Sequence, residues 1–278
     1  MKILLLLFYF STSAYGSFIG QDIFLDQDEM KPLKSVPLDY QVIVSDFIQK
    51  FSGEVLAWGG ELKVEFDLKN SRVNAFASRD MGKWKITFLG GLIKHSKMNS
   101  EVFTAILCHE LGHHIGGAPY KFPDDEVRSW VSVEGQSDYY ASNICLKRIF
   151  EFQDNQSFLK AIKISPFMKE ACEAHTSNES EKYICLRSTY ISRELGLFLA
   201  TLGQGRRGRR GRTPRFDTPD TSQVSSTTIQ HPKAQCRLDS YFQGSICEQY
   251  YFRLPNEQNC PQRELKYSGS RPLCWYAP

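Results

Sequence analysis

Two histidines four residues apart bracket a glutamate in the run His109-Glu110-Leu111-Gly112-His113. If the run is helical, positions i and i+4 share a face, so both imidazoles can turn one ring nitrogen toward a single cation. Glu110 then sits about 100° round the helix, close enough to reach a water beside that cation without being a ligand. Zinc held in this way acidifies water and polarises a carbonyl, while the carboxylate takes the proton and passes it to a leaving amine. The chemistry this spacing permits is hydrolysis of an amide bond.

A hydrolytic zinc site takes a third protein ligand and keeps one position open. The pattern in which a third histidine follows on the same segment matches as far as Gly116, then meets Pro119 where a histidine is required. The other route is a carboxylate from the next helix, and Val133-Glu134-Gly135-Gln136-Ser137-Asp138 supplies Glu134. Asp138 follows one turn later on the same face, placed to hydrogen-bond the second nitrogen of a ligand histidine and fix its tautomer. Glu134 taken alone also reads as a solvent-exposed helix residue, and Asp124, Asp125 and Glu126 in the preceding loop are further acidic candidates. His114 points about 100° away from His113, as a supporting or surface residue. Cys108 reads as a disulfide partner or buried thiol rather than a ligand, and Tyr139 and Tyr140 read as core aromatics.

These residues need elements to carry them. Leu38, Val42, Ile43, Phe47 and Ile48 recur at helical spacing between Pro37 and Phe51. Strand-like alternation follows over 62–68, 73–77 and 83–89, with Asp80-Met81-Gly82 as a turn. Ser100 is the expected N-cap of the helix bearing His109 and His113, and Gly116-Gly117-Ala118-Pro119 ends it. Further helices are expected over 129–150, 155–172 and 179–202.

Four segments together resemble one family. His109–His113 followed by Glu134-Gly135-Gln136-Ser137-Asp138 is similar to the HExxH and ExxAD motifs of gluzincin metallopeptidases, in particular the group of HtpX, the mitochondrial Oma protease and the CAAX prenyl proteases. Asn74-Ala75-Phe76-Ala77 with Gly91-Leu92-Ile93 resembles the NAFA…GLL block that precedes the zinc helix there. His231-Pro232 with Arg237-Leu238 resembles the HPxxxxRI motif. The resemblance implies one zinc per chain on His109, His113 and Glu134, with Glu110 as general base and Asp138 supporting a ligand. It also implies that the strand at Asn74, Ala75 and Phe76 borders the cleft and pairs with a peptide substrate. By the same resemblance His231 lies near the zinc, either stabilising the oxyanion or acting as an inhibitory fourth ligand. The chain departs from the family in having Ser137 for the usual alanine, no spanning helices, and a cysteine-rich tail.

The 278 residues are 41% hydrophobic and 23% charged, a balance that excludes a disordered chain. Lys2, the apolar run Ile3 to Phe10 and Ala14-Tyr15-Gly16 read as a signal peptide over 1–16, too short to span a bilayer. Eight cysteines with no CxxC pair favour disulfides in an oxidising compartment, secreted or periplasmic. Cys172 with Cys185 and Cys260 with Cys274 are the plausible local pairs.

Residues 17–35 read as an extended lead-in to a peptidase domain over 17–202. A flexible Arg/Ser/Thr-rich linker follows at 203–230, then an HP-motif segment and disulfide-rich region at 231–278. The net charge of +3 is exceeded by five arginines alone, within Arg206–Arg212. That stretch reads as a solvated linker or a contact for an anionic partner, and it lacks the aromatics of a single-stranded nucleic-acid site.

The expectation is an α+β gluzincin-like domain that hydrolyses peptide bonds in protein substrates, without nucleic acid and without a membrane span. The alternatives are an inactive zinc-stabilised binding or chaperone-like module, and an amidase of cell-wall crosslinks.

Overall fold

A computed structural model describes residues 15–25, 33–122, 124–125, 130–202, 213–247, 260 and 268–278. The apolar run 3–10, Glu126 and the arginine cluster 206–212 lie outside the described residues.

The fold is α+β. Helix α1 (Leu38–Ala57) leads into β2 (Glu61–Asp67), β3 (Ala75–Asp80) and β4 (Lys83–Leu89), which a short strand β1 (Tyr15–Ser17) joins. The sheet order is β1-β3-β4-β2, parallel between β2 and β4 and antiparallel elsewhere. Met81 and Gly82 both take positive φ, 45° and 76°, the geometry that lets two residues join twisted antiparallel strands.

After α2 (Gly90–Lys94), α3 (Ser100–Ile115) runs through the middle of the molecule, with every residue from Val102 to Ile115 buried. Strands β3 and β4, helix α1 and the later helices surround it. Phe103 packs 4.4 Å from Tyr40 and 4.7 Å from Phe88, ring centre to centre, tying α1 and β4 to α3.

Helix α4 (Glu134–Tyr140) continues through a π-helical turn (Ala141–Cys145) into α5 (Leu146–Phe150). Then come α6 (Asn155–Lys160), α7 (Pro166–Ala174), α8 (Glu179–Leu202) and α9 (Ala234–Ile246). No helix among the described residues is long and apolar enough to cross a membrane.

Several boundaries differ from expectation. The N-cap of α3 is Asn99, whose side chain accepts from Val102 N at 2.9 Å; Ser100 instead donates to Asp39 Oδ2. The helix expected over 129–150 starts only at Glu134, because Trp130 lies in a turn, Ser132 bridges to Tyr120 and Val133 is extended. The span 155–172 divides into α6 and α7, where Ser165 caps and Pro166 starts a new helix.

Four disulfides pair Cys108–Cys145, Cys172–Cys185, Cys236–Cys274 and Cys247–Cys260. The Cys172–Cys185 pair is as expected. Cys260–Cys274 is not formed, because the C-terminal segment lies along α9 and offers Cys274 to Cys236. Nor does the described part of the tail stand apart: Trp275 is fully buried against Gly135, where a Cβ would overlap its ring. Residues 17–25 are extended, as expected, and are tied into the fold, since β1 and the residues after it run along β3.

Candidate metal centre

Helix α3 presents His109 and His113 on one face, and α4 lies across it. Gly112 permits the approach, since a Cβ there would stand 2.9 Å from the Ser137 backbone. Ser132 N bonds to His113 O at 3.1 Å and fixes the entry to α4, so Glu134 in its first turn faces the two imidazoles. His109 Nε2 lies 3.2 Å and His113 Nε2 3.5 Å from Glu134 Oε2. Ligands at about 2.0–2.1 Å round a tetrahedral ion sit about 3.3 Å apart, so these separations fit one zinc-sized cation. The three ligand atoms lie within 4.8 Å of one another and the residues are fully buried, so this group can hold a metal ion.

The hydrogen bonds around the rings select the tautomer a metal needs. His109 Nδ1 is 2.7 Å from Asp138 Oδ1, and His113 Nδ1 is 2.8 Å from the Ser132 carbonyl oxygen. Both partners accept, so both Nδ1 atoms carry a proton, and in the neutral imidazole Nε2 is the nitrogen left to ligate. Ser137 Oγ lies 2.9 Å from His113 Nδ1 as well. His109 Nε2, His113 Nε2, Glu134 Oε2 and both Glu110 oxygens are buried without a hydrogen-bond partner. Orphaned buried polar atoms are costly and rare, and five converging in one place fit a cation and its water.

Charge completes the fit. Asp138 is clasped by Arg237, Nε to Oδ2 and Nη2 to Oδ1 both at 2.8 Å, with both side chains buried. Burial alone would raise Asp138, but Arg237 and then His109 hold its carboxyl below the usual range. Lys121 Nζ pairs with Glu134 Oε1, leaving Oε2 to face the histidines. Against burial, His113, Lys121 and His231 hold the Glu134 carboxyl well down. Burial would also push His109 down, yet Asp138 and Glu134 raise it to about 9, whereas burial takes His113 to about 4. Glu110 is raised to about 8, chiefly by burial, with Glu134 adding to it and His109 opposing. With neutral imidazoles and Glu110, Glu134 and Asp138 all ionised, the carboxylates outnumber Lys121 and Arg237 by one, a net negative charge that favours a cation between them.

His231 Nε2 is 3.2 Å from Glu134 Oε2 and 2.6 Å from the Ser17 carbonyl oxygen, to which it donates. It stands at the rim of the ligand triangle, which comprises only the other three residues. Asn74, Ala75 and Phe76 border the site, but the edge they form is covered. Phe76 pairs with Ser17, Ala75 O accepts from Phe18 N at 3.1 Å, and the Asn74 amide bonds Ile19 N and O. Asp124 and Asp125 do not belong to the metal-binding group.

His114 is buried and stacked between Trp84 and Trp130, with Arg79 donating to its carbonyl at 2.8 Å. Burial and then Arg79 lower it to about 3. Cys108 is disulfide-bonded, and Tyr139 and Tyr140 are core residues.

Sequence reasoning missed Lys121, an isolated lysine with no motif round it, and the Ser132 carbonyl, which no side-chain pattern reports. Arg237 stood within a recognised motif, but nothing local pointed to Asp138, 99 residues earlier. No protein-family model, curated protein or solved structure matches this chain.

Proposed function

We propose that the chain is a zinc-dependent endopeptidase built on the gluzincin plan, acting in an oxidising compartment outside the cytoplasm. The observation that carries the reading is the convergence of two unpartnered Nε2 atoms and one carboxylate oxygen beside a buried carboxylate, Glu110, that has no partner either. A closed structural site would more often present four protein ligands and has no use for a base at that position.

His109, His113 and Glu134 would hold the ion, which supplies Lewis acidity toward a carbonyl and acidifies water. Asp138 and Ser132 O keep both rings in the ligating tautomer, and Lys121 leaves Glu134 one oxygen for the ion. Glu110, raised by its buried setting, holds the proton withdrawn from the attacking water and returns it to the leaving amine. His231 Nε2 points at the carbonyl of a strand lying on β3, where charge develops on a scissile carbonyl oxygen, and stabilises it. The four disulfides support the compartment.

Native mass spectrometry combined with casein or peptide-library hydrolysis tests this. Glu110→Gln should keep one zinc per chain and lose roughly 10²–10⁴-fold in rate. A wild-type chain that binds zinc, has an open cleft and cleaves nothing would instead be a binding module.

A further inference from the structure

The cleft of the proposed peptidase already holds a peptide, and it is part of this chain. Residues 15–25 run antiparallel to 71–78, from Tyr15 opposite Ser78 to Phe24 opposite Arg72. They make the contacts an extended ligand of the site would make. The Ser17 carbonyl faces His231 Nε2, and the Phe18 ring meets the His109 ring edge-on at 5.4 Å between centres. Arg237 Nη1 donates to the Phe18 carbonyl at 2.7 Å, and the Asn74 side chain grips both backbone groups of Ile19.

The segment's glycines fall where the site histidines crowd it. A Cβ on Gly16 would overlap the His113 imidazole, and one on Gly20 would come within 2.6 Å of His231 Nδ1. Only a residue without a side chain passes these two points. Between the anchors Gly20 and Gln21 are exposed, and beyond them Phe24 is 60% exposed, while Asp22 pairs with Arg72, Ile23 O accepts from Val73 N at 2.8 Å and Leu25 is buried. Phe18 is the deep anchor, fully buried.

We infer that Ser17–Leu25 is an intramolecular ligand of the β3 edge that keeps the cleft closed to other peptides and leaves as a unit when one binds. This rests on the peptidase reading for its consequence, but not for the binding itself. The edge of β3 is then a groove for an extended peptide with an aromatic residue in the Phe18 position and glycine beside His231. The contacts from Ser17 onward need nothing before Ser17, so a chain cut after Gly16 keeps its blocker. A tethered strand acts at an effective concentration on the order of 1 mM. A free peptide of about 100 µM affinity therefore binds the closed chain at least roughly tenfold more weakly than the opened one.

The test inserts a site-specific protease sequence between Leu25 and Leu33 of the full chain. A dye-labelled peptide copying Ser17–Leu25 is followed by fluorescence anisotropy, in chelator-treated and zinc-loaded protein. Before cutting, the labelled peptide should bind weakly and the amides of 75–80 should exchange slowly. After cutting and desalting, exchange there should quicken and the peptide should bind at least tenfold more tightly. A peptide carrying Phe18→Ser should not bind.

Equal binding before and after cutting, continued protection of 75–80, or unfolding on cutting would make the segment a structural strand and overturn the inference. Tight binding without casein hydrolysis would leave it standing and sink the peptidase reading instead.

Discussion

Asp138→Asn separates the two tasks of the carboxylate behind His109. In the native site Oδ1 accepts from His109 Nδ1 and Arg237 Nη2, while Oδ2 accepts from Arg237 Nε. An amide keeps only one accepting atom. If its oxygen stays on His109, its NH2 faces the donor Nε of Arg237; if it flips, His109 loses its orienting acceptor. Either way Arg237 becomes a buried cation without a counter-charge, a change that costs about 3–5 kcal/mol. For a chain of this size the melting temperature should fall on the order of 10 °C. Loss of the orienting bond should weaken zinc binding about 10–100-fold. The assay is competition against a chromophoric chelator, run beside thermal melts of the metal-free protein. Adding Arg237→Met removes the stranded cation, so the double variant should regain part of the stability and none of the zinc affinity. Zinc affinity within twofold of wild type in Asp138→Asn would refute the reasoning, whatever the melts show.

Three further outcomes can be read directly. Gly112→Ala puts a Cβ 2.9 Å from the Ser137 backbone and wedges α3 from α4, so calorimetry should show a loss of about 1–3 kcal/mol and zinc binding should weaken; unchanged zinc affinity would contradict the close helix contact. Replacing Cys108 and Cys145 together by alanine opens a link across 37 residues, and denaturant titration should show a loss of about 4 kcal/mol. Lys147 is buried with Nζ on the Cys247 carbonyl, and burial lowers it from 10.5 to about 7. A depressed lysine leaves the folded state with fewer protons than the unfolded one between pH 7 and 10.5, so stability rises across that window and is lost as pH falls through 7. Relative to Lys147→Met, wild type should gain a few kcal/mol between pH 7 and pH 10; parallel pH profiles would show that the ammonium is not buried.

What could be read from the chain follows the range over which each cause acts. The candidate metal-binding histidines, Glu110 between them and the Glu134–Asp138 pair are set by a helical period of 3.6 residues, so their spacing announces them. Strands β2 and β4 alternate and were legible; α3 shows no alternation of faces, being buried all round, and was found through its termini and motif. Helix α4 was drawn too early although Trp130-Val131-Ser132-Val133 has strand-forming composition, and Ser132 is extended to reach Tyr120 and His113. Disulfide pairing failed at Cys260 because Cys247 and Cys274 lie at almost equal distance from it in sequence, and only the fold, which brings Cys274 to Cys236, decides between them.

The part that stayed hidden is electrostatic, and there is a physical reason. A carboxylate ligand buried without exposure needs a cation from wherever the fold can bring one, and distance in sequence does not enter Coulomb's law. Lys121 reaches Glu134 across 13 residues and Arg237 reaches Asp138 across 99. The same logic applies to the blocked edge. Asn74 stood within a motif the resemblance singled out, but its partner Ile19 lies 55 residues earlier, in a stretch with no clear period. Gly16 and Gly20 mark that partner only once His113 and His231 are in place. A motif therefore reports which atoms can ligate, and only the fold reports what neutralises them and what lies across them. Those two things set whether such a centre binds its metal tightly and whether a substrate can reach it.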